Sequence, residues 1–567
     1  MEKSRQFYIL YRHYLILNME INNNESIEEQ RKLGKFTTPR DIAKFITKWA
    51  IKDYNDIIFE PCIGSGNILY QVIEELEHYC SPTYILNNFY GLDIDPFAVD
   101  NIMKQIEIQY NEKPNIICAD FLKMTPNKNI NYPNYKGMLP LSTVILCNPP
   151  YTRHQLLDRD YKEEIAKIIE KESGLRISRR SSLYVYFLIH SAQFIKEEGR
   201  MAFIIPSSFL DVDYGISLKQ FLIDNFRIDA IILFPIKELL FPKVLTTTCI
   251  VLLEKNKDKK NIVNFVKLNS LIGAKNLLRS LKDRELLTKK AWGTVYERQQ
   301  ISLDSTKKWS QYFDSDYGEI KGVLLKEIAR VKRGIATGAN DFFTLSDNEV
   351  QKYGIEDKFL KPVLKKARDA SFFDFTKEDY QRLRDKNRKV WLVSSDLEKD
   401  KLHDTDLLKY IKQGETQGLS LRYLTSSRRI WYSLEKREPS PIIFTYMSRN
   451  KPRFISNKAN IAVLNTFLTI YPKELSVKNE VELKALLAYL NSDKSHTLLK
   501  KIGRMYGGGL LKVEPGDLET LPVLNLQGLE NNVTKKLASL FDELCLQDRK
   551  GDGSKVYFEI NQIIDSL

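Results

Sequence analysis

Four short apolar runs between residues 56 and 151, each ending at a polar or glycine-rich corner, constrain the fold of this chain more than any other feature. They are "DIIFEPCIGSG", "NNFYGLDIDP", "NIICADFL" and "STVILCNPPY", separated by stretches long enough for a helix or a crossover. Such alternation gives a parallel sheet with βα connections, in which functional groups gather beyond the carboxyl ends of the strands. "RMAFIIPSSFL", "IDAIILF" and "TTTCIVLLEK" read as three further strands, so an α/β fold with a seven-stranded sheet is expected. The segment "TTPRDIAKFITKWAI" reads as a helix with Thr38 as N-cap and Pro39 in the first turn. A second helix, "SLYVYFLIHSAQFIKEEG", closes with Gly199 as its C-cap.

Each corner has its own chemistry. At the first, Gly64 and Gly66 let the backbone approach a ligand while the next helix begins, although a plain βα turn uses the same glycines. Asp93, at the second, can accept both hydroxyls of a ribose, or cap a helix; Asp95 before Pro96 fits the capping role better. Asp120, at the third, can accept the exocyclic amino group of an adenine while Phe121 packs on the ring. The fourth corner is Asn148-Pro149-Pro150-Tyr151. An amino nitrogen conjugated to a ring is a poor nucleophile because its lone pair is delocalised. Two acceptors, the Asn148 side-chain oxygen and the Pro149 carbonyl, would take its two N–H bonds and free that pair, with the prolines fixing the geometry. Tyr151 offers a ring on which a planar base can stack, and the chemistry calls for no metal.

At 567 residues the chain holds more than one domain. From about residue 310 short mixed segments replace the strand pattern, and aromatics interleave with Arg and Lys, as in "SSRRIWYSLEKREPSPIIFTYMSRNKPRF". We therefore expect a helical lead-in at 1–33, a catalytic domain at 34–300 and a basic second domain at 310–567. A formal charge of +13 favours a polyanionic partner, since Lys and Arg that neutralise phosphates release counterions. The six cysteines are scattered with no C-x-x-C pair, which suits a reducing cytoplasm and no structural zinc. Arg12 and His13 interrupt the apolar N-terminal stretch, so no signal peptide is expected, and no run reaches the ~18 apolar residues of a membrane span.

Taken in order, the corners resemble those of the amino-group (N6-adenine) DNA methyltransferases of bacterial restriction-modification systems, in the gamma arrangement of the TaqI methyltransferase. The resemblance covers "GKFTTP" (34–39), "FEPCIGSG" (59–66), "GLDIDP" (91–96), "CADF" (118–121), NPPY (148–151) and "LFPKVLTTTCIVLLE" (240–254). It implies an S-adenosylmethionine-dependent methyltransferase (Rossmann-like) fold with a mixed sheet, followed by a mixed α+β target recognition domain. It further implies S-adenosylmethionine as cofactor, double-stranded DNA as partner and a separately encoded cognate endonuclease. Thr38 and Glu60 would lie against the methionine portion, Asp93 at the ribose, and Asp120 with Phe121 at the adenine. Pro61, Cys62, Gly64, Gly66, Ile94 and Asn148 would complete the cofactor site. Phe241 would stack on the target base opposite Tyr151, with Phe234 as a competing assignment. "VKRGIATGANDFF" and "RMYGGGLLKVEPGDLETLPV" resemble stretches of the recognition domains, and Arg428, Arg429, Arg449 and Arg453 are candidate DNA contacts. Methyltransferases of guanine in ribosomal RNA or of release-factor glutamine share NPPY but generally lack the basic second domain. A non-catalytic DNA specificity protein is the remaining alternative; a fused nuclease would find too little room in the lead-in.

Overall fold

A computed structural model describes residues 36–567 apart from 133–134, 153–155, 235–246, 257, 259, 271–276, 278–288, 291, 315–322 and 507–509. The expected lead-in at 1–33, Phe241 and the Gly507–Gly509 turn lie outside the described residues. The chain divides into two compact units, Met1–Tyr317 and Gly318–Leu567.

In the first unit, strands β1 (Ile58–Glu60), β2 (Phe89–Asp93), β3 (Asn115–Cys118), β6 (Ser142–Cys147), β7 (Ile195–Pro206), β8 (Arg227–Leu233) and β9 (Thr248–Glu254) are the seven read from the sequence. A separate hairpin, β4 (Asn129–Tyr132) with β5 (Tyr135–Met138), precedes β6. Three more strands, β10 (Ile262–Leu268), β11 (Lys289–Lys290) and β12 (Gly293–Gln299), extend the sheet to ten, in the order β11-β12-β10-β8-β9-β7-β6-β1-β2-β3. The sheet is mixed: β3, β2, β1, β6 and β7 run parallel, and β9 is antiparallel to both β7 and β8.

Period-two side-chain alternation sorts the core onto two faces. Phe59, Ile145, Cys147 and Phe203 pack on one, and Ile58, Val144, Leu146 and Ala202 on the other. Strands buried on both faces carry near-continuous apolar runs, which is why these seven stand out in the sequence.

Helix α1 (Arg40–Ala50) precedes β1, and helices α2 (Asn67–Leu76), α3 (Pro82–Asn87), α4 (Pro96–Tyr110), α5 (Arg159–Ser173), α6 (Leu183–Ser191) and α7 (Gly215–Asn225) connect the strands. Two expected caps are corrected. Pro39, not Thr38, is the N-cap of α1, and Thr38 is a buried residue engaged elsewhere. Gly199 caps no helix: α6 ends at Ser191 and "IKEEG" belongs to β7. The Glu198 N–H donates to the Lys255 carbonyl and the Lys255 N–H to the Gly199 carbonyl, each at 2.8 Å, which draws this segment into the sheet.

The second unit is α+β. One four-stranded antiparallel sheet orders Ala329–Arg333, Leu468–Pro472, Ile442–Phe444 and Phe454–Ser456. A second orders Thr344–Leu345, Trp391–Val393, Leu360–Leu364 and Ala462–Val463. Helices Glu480–Leu490 and Asn531–Lys550 pack together over a core of Leu486, Leu490, Leu537 and Phe541. Among the described residues, no helix is long and apolar enough to cross a membrane.

Candidate active site

Because β6, β1, β2 and β3 are parallel neighbours, their carboxyl ends lie along one edge of the sheet, and the four corners follow there in spatial order. Beyond Glu60 the chain turns through Gly64 (φ 53°) and Gly66 (φ 76°), left-handed conformations that favour glycine. The Ile63 N–H donates to the Leu92 carbonyl (2.8 Å), tying the turn to β2. A methyl group placed on Gly64 would meet no atom within 4 Å, so that side of the turn is open.

Glu60 is only 2% exposed, and its Oε2 has no hydrogen-bond partner among the described residues. Burial, and then the neighbouring Asp93, push its carboxyl well above the usual carboxylate range. An orphaned buried acceptor costs about 1–3 kcal/mol, so the corner lacks a donor or cation. Asp93 is buried and already shaped by the backbone: Oδ2 accepts from the Gly64 N–H (2.8 Å) and Oδ1 from the Asp95 N–H (2.9 Å). Asp95 caps α4 by accepting from the Phe97 N–H (3.0 Å), the division of labour expected between the two aspartates. Ile94, 39% exposed, offers an apolar surface beside Asp93. Pro61 is buried; the half-buried Cys62 places Sγ 4.0 Å from Asp93 Oδ2.

At the third corner Asp120 caps the short turn Phe121–Lys123 through the Leu122 N–H (3.1 Å), while Oδ2 accepts from the Tyr161 hydroxyl (3.1 Å). Burial raises the Asp120 carboxyl against the lowering effect of that hydroxyl. Phe121, expected on the face of an adenine, is instead 2% exposed, with ring centroids 5.7, 5.3 and 5.1 Å from Phe59, Phe187 and Phe194. The third corner therefore presents Asp120, with Phe121 packed behind it as core.

At the fourth corner Asn148 Nδ2 donates to the Phe36 carbonyl (2.8 Å) and to Thr38 Oγ1 (3.1 Å). A carbonyl only accepts, so this contact fixes which end of the amide is which and turns Oδ1 away from it. The Tyr151 hydroxyl donates to that Oδ1 (2.9 Å) and also reaches the Ile204 carbonyl on β7 (3.1 Å). Burial pushes the Tyr151 phenol well up, which keeps it a donor. Its ring centroid lies 5.5 Å from that of Phe36, at a 43° tilt. Pro149 is buried and Pro150 half-buried. Thr38 joins two corners: its carbonyl accepts from Asn67 Nδ2 (2.7 Å) at the start of α2, while its hydroxyl holds Asn148. Phe36, Asn67 and Tyr161 were not singled out from the sequence, since main-chain and through-space contacts leave no periodic signal. Phe234 is 6% exposed within the core.

In the second unit the four candidate arginines separate. Arg428 donates to the carbonyls of Ala336 (2.7 Å) and Trp431 (3.2 Å) and lies 5.9 Å from the Phe343 ring centre. Arg453 donates to the carbonyls of Ser371 and Ala370. Both hold the fold together. Arg429 is exposed and paired with Glu398, and Arg449 is exposed in the turn after Met447–Ser448. Trp431 and Tyr432, near neighbours in sequence, are buried.

A family model described as N-6 DNA Methylase matches residues 20–320, and one described as the C-terminal domain of Type II methyltransferase M.Eco57I matches residues 318–562. The chain is 30% identical to Type II methyltransferase M.AccI of Acinetobacter calcoaceticus over 549 residues, 94% of each chain. It is 25% identical to Type II methyltransferase M.XamI of Xanthomonas campestris pv. amaranthicola, over 88% of this chain and 86% of that one. Among solved structures, the type IIL restriction-modification enzyme MmeI in complex with DNA aligns with 94% of this chain over 72% of its own (TM-score 0.57, 12% identity). The DrdV–DNA complex aligns with 91% over 57% of its own (TM-score 0.55, 13% identity). At such identities these structural likenesses establish the fold.

Proposed function

Because the chain belongs to the N-6 DNA methylase family, we propose that it is a site-specific DNA methyltransferase of a restriction-modification system. The group methylated is the N6 amino group of an adenine in duplex DNA, and the arrangement is the gamma one, with cofactor corners first, NPPY next and the DNA-reading unit last. The observation that carries this reading is the locked amide of Asn148: Nδ2 is held by the Phe36 carbonyl and Thr38 Oγ1, which leaves Oδ1, now accepting from the Tyr151 hydroxyl, as the end of the amide that can take a donor.

The residues at the first three corners fit S-adenosylmethionine. The orphaned Glu60 Oε2 asks for a cationic donor such as an α-ammonium group, and the open side of Gly64 leaves room beside it. Thr38 and Glu60 would hold the methionine portion, Asp93 the ribose and Asp120 the adenine amino group. When bound, the cofactor supplies an electrophilic methyl group. Glu60→Gln is expected to weaken cofactor binding about 10–100-fold, the worth of a charge-assisted hydrogen bond. It should also stabilise the cofactor-free protein. A buried carboxyl raised above its unfolded value favours folding while protonated and loses that contribution as pH rises through the folded value. The thermal midpoint of the variant should therefore gain on wild type as pH rises above the ordinary carboxylate range, by about 2–4 °C per kcal/mol relieved. A midpoint difference that stays flat with pH would remove Glu60 from this role.

A base stacked in a duplex cannot reach Asn148, so the target must flip out, at a cost of a few kcal/mol. Stacking on Tyr151, with Phe241 opposite, offsets part of that cost. As the amino group arrives, the Tyr151 hydroxyl yields Oδ1 and keeps the Ile204 carbonyl as acceptor, so no buried hydroxyl is stranded. Asn148 Oδ1 and the Pro149 carbonyl then take the two N–H bonds and concentrate the lone pair on nitrogen. Arg429 and Arg449 are the remaining DNA-contact candidates of the four. A separately encoded endonuclease would recognise the same site, and both proteins would act in the cytoplasm. Modification-sensitive sequencing of DNA from a host expressing the protein tests this reading. We expect N6-methyladenine at one short motif; methylated cytosine, or no modified base at all, would overturn it.

A further inference from the structure

Helix α5, which follows NPPY in the chain, reaches the Asp120–Phe121 corner along its length. Near its start the Tyr161 hydroxyl donates to Asp120 Oδ2 (3.1 Å), and Glu164 Oε2 accepts from Lys123 Nζ (2.7 Å). Near its end Glu172 Oε2 lies 2.7 Å from His190 Nδ1, and His190 Nε2 lies 3.1 Å from the Phe121 carbonyl oxygen. Tyr161 and Glu172 are about three helical turns apart and so share a face.

His190, on α6, is fully buried. The Phe121 carbonyl can only accept, so Nε2 carries a hydrogen, which leaves Nδ1 to share a proton with Glu172. The Phe121 ring meets the imidazole edge-on at 4.8 Å, and the same carbonyl also takes the Met124 N–H (2.9 Å). The backbone of this corner is thus held from the α6 side, while the Asp120 carboxylate is held between the Leu122 N–H and Tyr161. Nothing in the methyl-transfer chemistry uses Tyr161, His190 or Glu172, yet all three are buried or half-buried polar groups, the first two aimed at one corner and the third at His190.

We propose that Tyr161 and His190, the latter backed by Glu172, are positioning residues for the adenine ring of the methyl donor: Tyr161 aims the Asp120 carboxylate, and His190 fixes the backbone that carries it. The inference rests on the S-adenosylmethionine reading of the site. Selectivity for the adenine amino group is then set partly by α5 and not by Asp120 alone.

The test is calorimetric titration of the full chain with S-adenosylhomocysteine and with S-inosylhomocysteine, in which oxygen replaces the exocyclic amino group. Tyr161→Phe, which keeps the ring and removes only the hydroxyl, is expected to weaken the adenosine compound roughly five- to tenfold and the inosine compound much less, narrowing the preference. Glu172→Leu should narrow it in the same way, and Glu172→Gln, which retains an acceptor for Nδ1–H, should restore most of it. A preference ratio left at the wild-type value in both Tyr161→Phe and Glu172→Leu overturns the inference, even where the melting temperature falls, because a purely structural role would weaken both compounds alike. Wild type that binds neither compound would instead sink the cofactor reading itself, and this inference with it.

Discussion

Asn148→Ala is expected to lower methyl transfer by at least about a thousandfold while binding of cofactor and DNA stays within a few-fold of wild type. The side chain contributes an acceptor at the reacting nitrogen, while its amide hydrogens serve the Phe36 carbonyl and Thr38 Oγ1 and its Oδ1 holds the Tyr151 hydroxyl. Asn148→Asp should fail as well, for a different reason. A carboxylate can accept but not donate, so one of its oxygens would face the Phe36 carbonyl without a hydrogen between them. Transfer from tritiated S-adenosylmethionine, measured in single turnover beside equilibrium binding, separates chemistry from affinity. Turnover kept at even a tenth of wild type in Asn148→Ala would sink the role given to this amide.

The second large effect concerns the unit Gly318–Leu567. A protein ending at Tyr317 should still bind cofactor through Glu60, Asp93 and Asp120. Its preference for the cognate duplex over a scrambled one should fall by about a thousandfold or more, the usual span between specific and non-specific binding. Anisotropy titrations at several salt concentrations would read both the lost discrimination and the shallower salt slope that follows from fewer phosphate contacts. Discrimination retained at the wild-type level would refute the assignment of sequence reading to this unit.

The parts of the fold that were legible in the sequence are those whose burial leaves a mark on composition. The strands ending at Glu60, Asp93 and Cys147 sit inside the sheet and the strand ending at Cys118 forms its edge, yet all four read as short apolar runs closed by a polar corner. Strands Ile262–Leu268 and Gly293–Gln299 mix buried with exposed positions and so leave no continuous apolar run in the sequence. At the site, Asn148 was legible because NPPY is contiguous, and Asp93 and Asp95 because a proline follows the second of them. The partners that orient Asn148 were not, since Phe36 and Thr38 lie more than a hundred residues away and one of them acts through its backbone. Phe121 and Phe59 look alike in sequence as strand-end aromatics, and only packing decides which face a ligand. Charge counting likewise cannot distinguish Arg453, whose guanidinium satisfies main-chain carbonyls, from Arg449 on the surface.

The junction of Asn148 with Pro149 also bears on how this protein ages. Asparagine deamidates when the backbone nitrogen of the next residue attacks the side-chain carbonyl, and a proline nitrogen has no hydrogen to give up for that ring closure. The amide hydrogens held by Phe36 and Thr38 keep the leaving nitrogen engaged as well. The residue on which turnover depends most is thereby shielded from the commonest spontaneous lesion of its type, and long-stored enzyme should lose activity through damage elsewhere before it loses this asparagine.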